Sequence, residues 1–183
     1  MIEGSVIRKT RKRALDYSSK CLLRNIIVTL SSIYNNLDQI ILSCPRLESI
    51  PRWIAEVCLE KGYSSGRECL QREGSRNIIL EAVEKHADIL DFDDALSKVN
   101  PDLRMLLEEI ISLCNTALSQ YLNKPNPTIE DLDELLQWIA DEFSDDLLMR
   151  YHINNFIEFR NRYPRTFRRL LEWFLSKRKN YQT

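Results

Sequence analysis

The chain has 183 residues, 44% hydrophobic and 29% charged, with 26 basic and 27 acidic side chains. Length over roughly 150 predicts one domain, and a chain of this size buries about two-thirds of its unfolded surface, enough for a core without staples. The composition excludes a disordered chain, no apolar run reaches the ~18 residues of a membrane span, and no secretory apolar block follows the basic start MIEGSVIRKTRKR; the expectation is a soluble, cytoplasmic protein.

Apolar residues recur at three- and four-residue spacing almost throughout, which predicts an all-α fold, a single multi-helix, bundle-like domain. Leu22, Leu23, Ile26, Ile27, Leu30, Ile33, Leu37 and Ile40 mark a long helix over about 14–43, stopped by Pro45. A short helix over about 51–61 follows, with Pro51 in its first turn and Gly62 at its end. Residues 62–75, GYSSGRECLQREGS, read as a loop. A helix over about 76–89 and a short one over about 92–99, introduced by Asp91, come next. Asn100-Pro101 is a helix start, and that helix runs to about Tyr121. NKPNP breaks the chain, Thr128 caps another helix, Ser144 starts one more, and Pro164 opens the last. The single domain thus divides into 1–45, a basic segment and long helix, 46–123, and 128–183 with a basic end.

Only four glycines occur, which excludes Gly-rich nucleotide loops of the P-loop or Rossmann type. Two histidines, His86 and His152, and five cysteines without a CxxC pair leave no zinc framework. Cys58 and Cys114 fall on apolar helix faces and read as reduced structural thiols. Trp53, Trp138 and Trp173 read as core, and His86 as a half-exposed helix residue. Asp93-Asp94 and Asp145-Asp146 stand at helix starts, where capping explains them. No catalytic residue, metal site or cofactor is predicted.

Charge is segregated along the chain. Residues 1–76 carry 13 basic and 8 acidic side chains, 77–147 carry 4 and 17, and 148–183 carry 9 and 2. That pattern predicts two basic surfaces around an acidic middle, the basic ones suited to phosphates and the acidic one facing water or a basic partner. Arg165, Arg168 and Arg169 are the candidate nucleic-acid contacts. Solvated helix faces are the competing explanation.

Arg67, Arg72 and Arg76 lie in or beside the Gly-bearing segment, and Arg76-Asn77 opens the next helix. Free N–H groups and a positive dipole end at a helix start, with arginines beside them, suit a phosphate. Gly74 would let the backbone approach an anion. Capped and solvated arginines are the alternative.

Residues 49–99 resemble the helical C-terminal domain of archaeal and eukaryotic primase large subunits, and the related domain of plasmid primase-polymerases. The resemblance rests on Pro51-Arg52-Trp53-Ile54, Arg72 through Arg76, the helix from Asn77 to Leu90, and Asp93-Asp94-Ala95-Leu96; Gly74-Ser75-Arg76-Asn77 is similar to the G-x-R-N of the plasmid branch. Trp53 stands where the large subunit has the first cysteine of its [4Fe–4S] cluster, and only Cys114 follows the arginines. Four thiolates are needed, so the resemblance is to the clusterless accessory subunit of some archaeal primases, the PriX type. It implies a non-catalytic role in DNA replication. The chain would hold the initiating nucleoside triphosphate or the primer 5′-triphosphate beside a single-stranded DNA template, with catalytic and large primase subunits as partners. Arg72 and Arg76 are carried over as the phosphate grip; Lys85 lies one position from a further basic residue of that family, and Arg67 and Asn77 are local supports. Two alternatives stand beside it. One is a structural replication subunit of the GINS type, which IPRWIAEVCLEKG resembles and which would bring a small β domain. The other is a small helical RNA-binding subunit of a CRISPR-type complex.

Overall fold

The computed structural model describes residues 15–44 and 49–181, with side chains through Arg178. The predicted basic segment at 1–14 lies outside the described residues. Among the described residues there are ten α-helices and no strand, the all-α class expected from the apolar spacing. They are α1 (Tyr17–Asn35), α2 (Leu37–Leu42), α3 (Ile50–Glu60), α4 (Gly66–Glu73), α5 (Ser75–Lys85), α6 (Phe92–Lys98), α7 (Pro101–Tyr121), α8 (Ile129–Glu142), α9 (Arg150–Arg162) and α10 (Pro164–Tyr181).

The starts follow side-chain chemistry. Asp16 accepts a hydrogen bond from the Ser19 N–H at 2.7 Å, and Asn100 accepts from Leu103 at 3.0 Å, with Pro101 already inside α7. Thr128 and Asp131 exchange side-chain and backbone bonds in a capping box that opens α8. Each satisfies donors that a helix N-terminus leaves without partners.

Three boundaries differ from expectation; the helix expected over about 76–89 ends at Lys85, and residues 87–89 form a separate 3-10 turn. The predicted long helix at 14–43 is two helices. The Asn36 side-chain amide donates to the Ser32 carbonyl at 2.8 Å, and α2 starts one residue later. This is the local competition for backbone groups that asparagine offers. The helix predicted from Ser144 is delayed: residues 147–149 form a single 3-10 turn, and α9 begins at Arg150.

α1 lies at the centre, packed mainly against α7 and α9 and also against α8. Leu23, Ile26, Ile27 and Ile33 are fully buried there. α10 crosses α5, α7, α8 and α9. The smaller group α3, α4 and α5 adjoins α10 and α2 through α5, and one continuous apolar cluster runs through all of these helices. Trp53, Trp138 and Trp173 are buried in it.

The segment expected to be a loop contains α4. The Ser65 hydroxyl accepts from the Glu68 N–H, and Tyr63 donates to Glu73 at 3.0 Å across the element. A disulfide joins Cys58 of α3 to Cys69 of α4. This overturns the expectation of a free thiol at Cys58. Cys21, Cys44 and Cys114 are free, and burial pushes the Cys114 thiol up to about 12.

Candidate phosphate-binding site

Gly74 separates α4 from α5 with φ of +89°, a conformation that favours glycine. Arg76 and Asn77 follow in the first turn of α5. Asn77 turns back, its side-chain amide donating to the Glu73 carbonyl at 3.0 Å. It closes the α4–α5 corner and leaves the carbonyl at the end of α4 satisfied.

Arg76 faces inward. Its guanidinium donates to the Tyr34 carbonyl, to the Asn35 carbonyl at 3.4 Å and to Asp38 at 3.0 Å, and it lies over the Tyr34 ring at 5.0 Å. These carbonyls end α1, so the cation sits on the negative end of that helix. A guanidinium has five N–H donors in a fixed fork, and here several are already taken.

Arg72 faces outward. Its side chain is 70% exposed and meets Glu68, one turn earlier, at 3.2 Å. Such an exposed pair is worth about 0.3–0.5 kcal/mol, so an incoming anion displaces it easily. Arg67, in the first turn of α4, is exposed and makes no hydrogen bond or ion pair among the described residues. Lys85 is paired with Glu60, and its carbonyl accepts from Arg165 at 3.1 Å. Of the five residues expected to grip phosphate, Arg67 and Arg72 remain available on one short helix, whereas Arg76, Asn77 and Lys85 hold the surrounding structure together. His86 stacks on Trp53 at 4.3 Å and lies 3.5 Å from Glu56, half-exposed at the rim.

The α10 arginines also find partners within the chain. Arg165 pairs with Asp88. Arg168 meets Glu130 at 3.3 Å and Glu172 at 3.7 Å. Arg169 donates to Glu172 at 2.9 Å and to the Leu90 carbonyl at 2.6 Å. Glu84 accepts from the backbone N–H groups of Arg165 and Thr166, each at 2.9 Å, and so caps α10. Lys177 and the Trp173 indole N–H both reach Asp93. The acidic middle of the sequence therefore meets the basic end within the chain, largely at its surface. Arg24 with Asp146 and Arg160 with Asp133, both at 2.8 Å, continue the pattern.

A cavity of about 630 Å³ opens beside Arg169, between residues 88–94 and α10. Asp88, Asp91, Asp93, Asp94 and Glu172 line it together with Trp173. Its carboxylates repel a triphosphate. Among the described residues no group of His, Cys, Asp and Glu is arranged to hold a metal ion.

No protein-family model, no curated protein and no solved structure matches the chain.

Proposed function

We propose that the chain is a non-catalytic accessory subunit of a DNA primase, touching the phosphates of the initiating nucleotide or primer end through Arg67 and Arg72. The observation that carries this reading is α4: a short helix covalently tied to α3 by Cys58–Cys69, with both arginines on the surface and neither firmly committed. The tether limits the motion of the helix backbone, while each exposed arginine side chain still loses rotamer freedom on binding an anion. Support comes from the order of elements from 49 to 99: a helix with Pro51 in its first turn, an arginine-bearing stretch, a glycine corner, a helix, and a short helix through Ala95 and Leu96; the arginine-bearing stretch is helical where the resemblance has a loop, and the helix after Gly74 ends at Lys85 rather than Leu90. Arg76 enters this reading as the residue that fixes α5 to the end of α1.

The GINS-type alternative brings a β domain, and the described residues contain no strand. The RNA-binding alternative rests on composition, and the α10 arginines expected to touch nucleic acid, the DNA template of the primase reading included, are paired with Asp88, Glu130 and Glu172.

The direct test adds the purified chain to catalytic and large primase subunits of the same source. Primer initiation is expected to rise more than extension, and the Arg67→Ala/Arg72→Ala double variant is expected to remove the gain. Equal stimulation of both steps, unaffected by the double substitution, would overturn the nucleotide-contact reading.

A further inference from the structure

Arg178, near the end of α10, is 93% buried, with a relative exposure of 7%. Its Nε and Nη1 are both inaccessible and have no hydrogen-bond partner among the described residues. No carboxylate pairs with it among the described residues, although nearly every other cation of α10 has one. A guanidinium stays charged at any ordinary pH, so it cannot escape burial by losing its proton. A buried charge needs a counter-charge and acceptors for its N–H groups.

Arg178 lines a cavity of about 320 Å³ formed with Ser119 and Leu122 at the end of α7 and Asn123, Lys124 and Pro125 of the following loop. That volume is at the small end of the range for ligand sites. Lys124 brings a second cation to the wall. Its ammonium donates to Asp131 at 2.9 Å, and that carboxylate is held in turn by the Thr128 N–H at 2.8 Å. Asp131 thus serves the α8 capping box, while Arg178 has no carboxylate partner among the described residues. Leu122 and Pro125 give the cavity an apolar side.

We infer that this cavity is a binding site for a small oxyanion, a phosphate or carboxylate group carried on a small molecule, with Arg178 as its counter-charge. Either group offsets the charge of a guanidinium through charge-assisted hydrogen bonding. The site is built from α7, the 122–125 loop and α10, and it shares no residue with the α4 arginines. It does not depend on the primase reading.

The test is thermal unfolding of the whole chain in inorganic phosphate, in acetate, and in sodium chloride at matched ionic strength, with equilibrium dialysis of radiolabelled phosphate as a second measure. Phosphate, acetate or both are expected to raise the midpoint above the chloride control, and the arm that responds identifies the group. In Arg178→Met, where an apolar chain fills the same space, the response is expected to vanish and dialysed phosphate binding to fall at least tenfold. The Arg67→Ala/Arg72→Ala chain is expected to keep the full response, which separates this site from the α4 surface. An unmodified chain that responds to neither anion and retains no phosphate on dialysis overturns the inference without any variant. So does an Arg178→Met chain that responds as strongly as the parent.

Discussion

Arg76 and Asp38 form an ion pair at 3.0 Å that fastens the start of α5 to the junction of α1 and α2. The same guanidinium covers the last carbonyls of α1. This makes Arg76 a structural residue although its side chain is one-third exposed. Arg76→Ala is expected to destabilise the fold by about 1–2 kcal/mol, the range for a charge-assisted contact that water partly replaces. A urea titration measures it. An unchanged midpoint would show that the contact contributes nothing.

Glu84 of α5 and Arg168 of α10 offer a contrast. Glu84 caps α10 and also accepts from the hydroxyl of Thr166, which is 1% exposed. Glu84→Ala strands buried donors and is expected to cost about 2–3 kcal/mol. Arg168 is 56% exposed and its partners are surface carboxylates; Arg168→Ala is expected to cost less than about 1 kcal/mol. Denaturant midpoints of the two variants, compared with the parent, check the ordering.

The Cys58–Cys69 bond closes a loop with a sequence separation of 11. Chain-entropy arguments give such a cross-link about 3 kcal/mol. Unfolded without reductant, the chain is expected to show three reactive thiols, those of Cys21, Cys44 and Cys114. Reductant is expected to lower the unfolding midpoint and raise the thiol count to five, the number of cysteines in the chain. Five thiols before reduction would contradict the disulfide.

Acid is expected to weaken the fold through Asp131. Burial raises its carboxyl, but bonds from the Thr128 N–H and Lys124 outweigh that and hold it below the usual range. Asp93 follows the same rule, with Lys177 and Trp173 overcoming burial. A folded value below the unfolded value of about 3.9 means that the unfolded chain binds the extra proton first. The stabilisation is therefore complete above about pH 4 and is lost as the pH falls through the folded values. Asp131→Asn is expected to narrow the stability difference between pH 5 and pH 3. The same difference in parent and variant would remove Asp131 from this role.

Much of the helical framework could be read from sequence because its signals are local. Asn100-Pro101, Thr128 and Pro51 stand where helices begin, and Leu103, Leu107, Ile110 and Cys114 line the buried face of α7. α4 was hidden because GRECLQRE has few apolar residues and opens on glycine, and its order comes from Ser65, Tyr63 and the disulfide. The disulfide was hidden by an odd cysteine count. The charge pairing was hidden for a different reason. Arg24 meets Asp146 across a separation of 122 residues and Arg165 meets Asp88 across 77, and no local spacing announces such pairs. The same blindness made Arg76 look like an equal of Arg72.

The central claim concerns Arg67 and Arg72, and titration of the purified chain with a fluorescent nucleoside triphosphate tests it most directly. The account predicts saturable binding that weakens at least tenfold in Arg67→Ala/Arg72→Ala, as expected for loss of about 1.5–3 kcal/mol per charge-assisted contact. Helicity and the unfolding midpoint should stay unchanged, because neither arginine is buried and neither holds the fold. No binding by the parent chain, or equal binding by the double variant, would contradict it.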